Sequence, residues 1–274
     1  VESIESMKRK ETAPGSLVCV GIGMTLGSHI TPLARSYIEN SDVAFVAVSD
    51  AIVETWLAGM HADMRSLQPL YREGKSRMTT YRQMVQTILA PVREGKSVCA
   101  VFYGHPGVFA WAPHKAIAIA RREGIRAHME PGVSAEDCLY ADLGIDPGEF
   151  GCQHYEASQL LFYKRRLDPS AYLVIWQAGI AGDQSLARFT TGAAYRQVLV
   201  DRLAQDYPLD HRVIIYRAAT LPIHEPRMER TTLRKLVAAR VELPDTLVIP
   251  PAQKLVPDAK ALRRLGKLDR AKGV

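Results

Sequence analysis

Cysteine is scarce in this sequence, and none of it is arranged as a metal site or a redox motif requires. The four cysteines, Cys19, Cys99, Cys138 and Cys152, form no C-x-x-C pair. Cys19 and Cys99 lie inside apolar, strand-like runs, where a free thiol acts as a small hydrophobe. The pattern excludes a disulfide framework and predicts no structural zinc or other metal. It also predicts reduced thiols and hence a cytoplasmic protein. No apolar run approaches the ~20 residues of a membrane helix, so no membrane association is expected. The opening VESIESMKRKETAPG is charged and lacks the apolar segment of a signal peptide. Residues 1–15 therefore read as a flexible arm or an expression remnant. Fixed-period repeats and low-complexity tracts are also missing, which excludes solenoid and fibrous architectures.

A large excess of one charge is missing too. Lysine and arginine total 35 and aspartate and glutamate 29, a difference of +6. The basic residues gather as MKRK, YKRR and RRLGKLDRAKG, with no sustained stripe. This argues against a nucleic-acid partner. What the chain does have is a 47% hydrophobic, 23% charged composition over 274 residues, enough for a substantial core in one large or two intimate domains.

Apolar periodicity orders the chain. SLVCVGIG, VAFVAVS, SVCAVFYG and IRAHME read as strands, and ITPLARSYIEN, PHKAIAIARREG and SAEDCLYADLG as helices. Val85, Ile88, Leu89 and Val92 fall at helical spacing within a predicted helix over 76–93. Ser134 is a predicted N-cap, and Gly144 a predicted C-terminal stop. A second series follows. YLVIWQAG, RVIIYRA and DTLVIPP are read as strands, with AAYRQVLVDRLAQDY and TTLRKLVAARV as helices. Such alternation predicts an α/β fold of two domains, each a parallel or mixed sheet flanked by helices. The expected boundaries are 16–133 and 134–251, with a charged tail over 252–274.

Glycine and proline mark the ends of the first-series strands. GIGMTLG places Gly21, Gly23 and Gly27 one residue off the G-x-G-x-x-G dinucleotide pattern. YGHPGVF leaves a strand through an irregular turn, and EPGVSAED does the same before a helix whose N–H groups can hold a polar ligand. Loops at the carboxyl ends of neighbouring strands in open α/β sheets line ligand sites.

YREGKSRMTTY, residues 71–81, carries a different chemistry. Arg77 and Tyr81 are four residues apart, so on a helix they share a face. A phenol and a guanidinium aimed at one point can bind a developing negative charge; equally, they can pack and be solvated.

Taken in order, the glycine turn, the G-x-P loop and PGVS resemble the S-adenosylmethionine-dependent tetrapyrrole methylase superfamily over roughly residues 16–251. Within it, YGHPGVF, PGVSAEDCL, ADLGIDPG, YEAS and GKSRMTTYRQM look like the borosin peptide α-N-methyltransferases. The GHP of this chain stands where most of the superfamily has an acidic residue before the proline. The resemblance implies methylation of backbone amides in a ribosomally made precursor peptide. S-adenosyl-L-methionine would be the cofactor and S-adenosyl-L-homocysteine its product.

The resemblance also assigns residues. Arg77 and Tyr81 would donate to the amide oxygen, and Tyr71 is the candidate base if Arg77 lowers its phenol; the sequence leaves either tyrosine eligible. Gln68 stands where fungal relatives have a further tyrosine. Cofactor contacts would come from Tyr103, His105, Val108, Phe109, Ser134 and Ala135, completed from the second domain by Gln177, Ala219 and Thr246. The tail carries no apolar, valine- and isoleucine-rich core peptide, so the expectation is the split type, with a precursor supplied in trans, acting as a homodimer. Two other readings use the same loops: a small-molecule, tetrapyrrole-like methylase, and a non-catalytic module that binds a peptide.

Overall fold

The computed structural model describes residues 15–48 and 50–271. The expected N-terminal arm lies almost wholly outside the described residues. The first half alternates strand and helix: β1 (Ser16–Gly21), α1 (Pro32–Asn40), β2 (Val43–Ala47), α2 (Ala51–Ala58), β3 (Met64–Ser66), α3 (Arg77–Arg93), β4 (Ser97–Phe102), α4 (Trp111–Arg122), β5 (Arg126–Glu130) and α5 (Ala135–Leu143). The second half continues with α6 (Pro147–Phe150), β6 (Cys152–Glu156), α7 (Ala157–Phe162), β7 (Tyr172–Trp176), α8 (Gly192–Leu203), β8 (Arg212–Arg217), β9 (Arg227–Thr232), β10 (Thr246–Ile249) and α9 (Ala259–Ala271).

The first sheet has the order β3-β2-β4-β1-β5. Its registered pairs are all parallel, with Cys19 of β1 between Ala100 of β4 and Met129 of β5. Parallel strands covered on both faces need apolar residues at successive positions, which is why β1, β2 and β4 read as unbroken apolar runs. Side chains alternate between two cores. Leu17, Cys19, Val98, Ala100 and Phe102 pack with Met84, Ile88 and Leu89 of α3 and Ala116 of α4. Val18, Val20, Cys99 and Val101 pack on the other face with Ala34 and Ile38 of α1 and Val53 and Leu57 of α2. All four cysteines are free, and Cys19 and Cys99 are buried in these layers.

The second sheet has the order β6-β7-β10-β8-β9, with β6 parallel and β10 antiparallel to β7. Its own core joins Leu173 and Ile175 of β7, Leu247 and Ile249 of β10 and Val213 and Ile215 of β8 to Leu199, Val200 and Leu203 of α8. The α/β fold with mixed sheets flanked by helices is therefore as expected.

Three details differ from the sequence expectation. The stretch 231–241 is not an α-helix: β9 runs to Thr232, and a short 3₁₀ turn over Arg234–Ala238 follows. Its apolar spacing is genuine, since Leu233 and Leu236 are buried, but those residues enter the core from a turn. The tail is helical over Ala259–Ala271, with Leu262, Leu265 and Leu268 exposed. Finally, the chain divides into one unit of residues 1–145, 183–191 and 216–228 and another of 146–182, 192–215 and 229–274, whereas the sequence reading draws a single line at 133/134. The excursions are held by hydrogen bonds. Thr25 Oγ1 donates to the Ala219 carbonyl at 3.1 Å, and the Leu26 N–H to the Thr220 carbonyl at 2.9 Å.

Where β1, β4 and β5 end, the three loops meet backbone to backbone. Gly23 and Gly104 exchange N–H···O bonds of 3.2 and 2.8 Å. A Cβ on Gly132 would lie 2.3 Å from the Gly104 oxygen, and one on Gly21 would lie 2.4 Å from the same atom. No side chain fits there. Gly132→Ala is therefore expected to destabilise the protein by about 2–3 kcal/mol through overpacking. Gly266→Ala, at an α9 position with open space around it, should be neutral or stabilising by up to ~1 kcal/mol. Urea denaturation of both variants checks the opposite signs.

Candidate active site

The segment from Tyr71 to Tyr81 folds as the sequence predicts. Ser76 precedes α3, which begins at Arg77 and carries Arg77 and Tyr81 on one face. Tyr71 lies just before the helix, and its ring meets that of Tyr81 edge to face, 6.4 Å apart at 83°. Both are partly buried against the α3–α4 core. Arg77 and Tyr103 lie close enough to the two phenols to act on them electrostatically.

The electrostatics correct one expectation. Arg77 was expected to lower Tyr71, but burial pushes the Tyr71 phenol well up, Tyr81 and Tyr103 push it further, and Arg77 opposes only weakly. Tyr81 is also raised by burial, yet there Arg77 and, after it, Tyr71 act to lower it. Arg77 and Tyr71 therefore ease charge on Tyr81, whereas Tyr81 and Tyr103 oppose it on Tyr71. Tyr103 is 55% exposed, so water reaches its ring, while the surrounding protein and then Tyr81 disfavour its phenolate.

Arg77 is anchored from the segment 183–191. Its Nη1 donates to the Arg188 carbonyl at 2.7 Å, and its Nη2 lies 3.4 Å from Asp183 Oδ2. Asp183 is 2% exposed. Burial alone would raise its carboxyl, but bonds from Ser185 and the Arg188 N–H, together with Arg77, hold it below the usual carboxylate range. Sequence reasoning passed over Asp183. Its only signal was Asp-x-Ser, a turn pattern that says nothing of burial.

The other sequence candidates fall in two places. Tyr103, His105, Val108 and Phe109 lie on the loop after β4, and Ser134 and Ala135 open α5 after β5. The Gly104 and Gly132 contact brings these loops together, and Ala219 joins them through Thr25 of the glycine turn. Ala219 therefore belongs to the first unit, not to the second domain as expected. His105 Nδ1 accepts from the Gly107 N–H at 2.9 Å, which shapes the turn. Ser134 makes a capping box with Asp137, so its hydroxyl is engaged in starting α5. Phe109 is 51% exposed with φ 49°, a conformation that a bulky residue rarely takes. Gln177 and Thr246 lie in the second unit, at one end of the β7–β10 ladder: Gln177 follows β7, Thr246 opens β10, and the Ala178 N–H bonds the Asp245 carbonyl at 3.0 Å.

A recess of about 350 Å³ opens at the other end of the first sheet, lined by Ser16, Tyr37, Ser97, Arg126 and His128 among others. It touches none of the glycine loops, and its shape alone gives no reason to prefer it to them. Among the described residues no group of three or more His, Cys, Asp and Glu side chains could hold a metal. None of their helices is long and apolar enough to cross a membrane.

Known proteins resemble this chain in sequence and in fold. A protein of Coprinopsis marcescibilis, named as a methyltransferase and ribosomally synthesized type I borosin cyclic peptide precursor, is 46% identical over 224 residues, or 81% of this chain and 57% of the relative. A protein of Omphalotus olearius, named as a methyltransferase and omphalotin A precursor, is 42% identical over 262 residues, or 93% of this chain and 62% of the relative. The chain thus spans about six-tenths of the length of these curated relatives. Among solved structures, a cobalt precorrin-4 methyltransferase of cobalamin biosynthesis shares the fold with a TM-score of 0.62 at 18% identity, covering 86% of this chain and 94% of that one. A uroporphyrin-III-C-methyltransferase from Thermus thermophilus does so with a TM-score of 0.59 at 20% identity, covering 87% and 93%. The family model for Tetrapyrrole (Corrin/Porphyrin) Methylases matches residues 16–237, from β1 through β9, and the chain belongs to that family.

Proposed function

We propose that this protein uses S-adenosyl-L-methionine to methylate backbone amide nitrogens of a ribosomally made precursor peptide. The observation that carries the reading is the edge-to-face pair of partly buried tyrosines, Tyr71 and Tyr81, with Arg77 anchored beside it. Two relatives whose names join methyltransferase to peptide precursor support the substrate class.

The residues present fit the cofactor. The glycine-held loops leave two half-exposed aromatic rings, Tyr103 and Phe109, at the carboxyl ends of the strands. Such rings suit a planar base and a sulfonium cation. Tyr103, His105, Val108, Phe109, Ser134, Ala135 and Ala219 would hold the cofactor from this unit. Bound there, the cofactor supplies an electrophilic methyl group.

An amide nitrogen is a poor nucleophile until its proton leaves and charge builds on the oxygen. Arg77 is the donor for that oxygen, with N–H groups aimed and fixed before reaction. Tyr81 takes the proton, since Arg77 and Tyr71 both favour its phenolate. Tyr71 packs edge to face on the Tyr81 ring and holds it in place. This exchanges the roles first expected for the two tyrosines. The phenol that burial holds high is a scarce base at neutral pH but a strong one, as so weak an acid demands.

The precursor segment of the Coprinopsis marcescibilis relative, supplied as a separate chain or fused behind Val274, provides a test substrate for mass spectrometry. Methylation of the separate chain supports presentation in trans. Methylation of the fused one alone moves the reading to presentation in cis, in keeping with a relative whose name joins methyltransferase and precursor. The expected homodimer is checked by light scattering. If neither substrate gains a methyl group while the cofactor binds, the peptide reading fails.

Arg77→Ala and Tyr81→Phe should lower kcat by about 10²–10³-fold with cofactor affinity unchanged. Tyr71→Phe should cost less than Tyr81→Phe. Single-turnover methylation beside calorimetry measures both; near-normal rates in Arg77→Ala and Tyr81→Phe would remove this stretch from the catalytic site.

The pH dependence follows from the direction of the Tyr81 shift, upward from an ordinary value of 10.0. Below that raised value only a small fraction is phenolate, so kcat should climb ~10-fold per pH unit through the neutral range and not level off below pH 10. Tyr81→Phe should flatten the profile. A parent profile that is flat from pH 7 to 9 would rule out Tyr81 as the base.

A further inference from the structure

Three successive carbonyls of one loop turn toward the start of α3. The Leu186 oxygen accepts the Arg77 backbone N–H at 2.7 Å, and the Ala187 oxygen accepts the Gly74 N–H at 3.3 Å. The Arg188 oxygen accepts Arg77 Nη1 at 2.7 Å. The helix needs this help, because Ser76 makes no side-chain cap and the first N–H groups of a helix have no partner inside it. To present its carbonyl, Leu186 takes φ 55°, in the left-handed region that leucine seldom occupies.

Asp183 organises this loop from within. Its Oδ1 accepts from the Ser185 N–H at 3.0 Å and from Ser185 Oγ at 2.5 Å, and its Oδ2 accepts from the Arg188 N–H at 3.1 Å. The carboxylate is therefore fixed by its own loop at short range, and Arg77 Nη2 meets it at a longer 3.4 Å. A charge this deeply buried is costly unless it is paired, and the guanidinium is the cation that pairs with it. Two of the five guanidinium N–H donors go to the loop. The rest are left for another acceptor.

We infer that Asp183 is a positioning residue: through the 183–188 loop it fixes the Arg77 guanidinium so that its remaining donors meet the substrate amide oxygen. This rests on the proposed role of Arg77, and it adds a specific residue that nothing in the 71–81 stretch contains. Arg77 alone is a flexible side chain at a helix start. Held at its backbone N–H, at Nη1 and at Nη2, it becomes a preorganised donor, which is the condition for stabilising charge as it develops.

The experiment is a rate cycle on the enzyme fused to the relative's precursor segment, with Arg77→Ala, Asp183→Asn and the double variant. Asp183→Asn should lower kcat by about 10–100-fold with the cofactor affinity and the KM for precursor unchanged. In the Arg77→Ala background the same change should cost nothing further, since residues acting as a unit are not additive. Added guanidinium should partly restore Arg77→Ala but not the double variant, a readout that a purely structural role would not move. Equal losses in both backgrounds overturn the inference, as does a parent-like kcat for Asp183→Asn beside a crippled Arg77→Ala. A fully active Arg77→Ala sinks the proposed function itself, and the positioning role with it. If Asp183→Asn does not fold, Ser185→Ala removes one support while keeping the charge. It should lower kcat in the same direction by less, and an unchanged kcat there counts against the inference.

Discussion

The first unit depends on a contact that contains no side chains. Gly21, Gly104 and Gly132 bring the loops after β1, β4 and β5 so close that a Cβ at Gly21 or Gly132 would strike the Gly104 oxygen. Parallel strands deliver three backbones to the same edge of the sheet, and only residues without a Cβ let them touch there. The contact fixes the YGHPGVF and PGVSAED loops relative to one another. It also fixes the glycine turn, to which Ala219 and Thr220 are bonded. Candidate cofactor residues from separate parts of the sequence become neighbours because of it.

Charge is handled by a different device. Tyr71 and Tyr81 pack against the α3–α4 core, and burial holds both phenols in the neutral form. Asp183 is buried as well, but its loop surrounds it with donors and keeps it ionised. The result is a fixed anion behind Arg77 and two neutral phenols beside it. The setting of the two rings, with Arg77 and Tyr71 favouring charge on Tyr81, breaks their symmetry. It makes Tyr81 the easier one to ionise, though a sequence reading sees only two similar residues in one stretch.

Backbone strain gathers in the same regions. Among the described residues the non-glycine positions with positive φ are Phe109, Gln177 and Leu186. Phe109, in the loop after β4, and Gln177, just past β7, are cofactor candidates. Leu186 presents a carbonyl to Arg77. Strain of this kind persists only where surrounding structure enforces it. The Leu186 oxygen is bonded to the start of α3, and the residue after Gln177 to Asp245 of the β7–β10 ladder.

The sequence by itself determined the elements whose signals are local. Unbroken apolar runs marked β1, β2, β4 and β7, helical spacing marked α3, and Ser134 and Gly144 bounded α5 as read. Glycine and proline at the strand ends located the loops, and YREGKSRMTTY located the phenols and the guanidinium. Polar or short elements were not legible: β3, β6 and β9 lack the apolar run of a buried strand, and the buried leucines of 233–236 mimicked a helix. Tertiary structure alone decided the return of 183–191 and 216–228 to the first unit, the burial of Asp183 and the upward shift of both phenols. The physical reason is distance along the chain. Arg77 and Asp183 are 106 residues apart, so neither periodicity nor spacing can report that one will be held by the other, and desolvation exists only once the core around a side chain has formed.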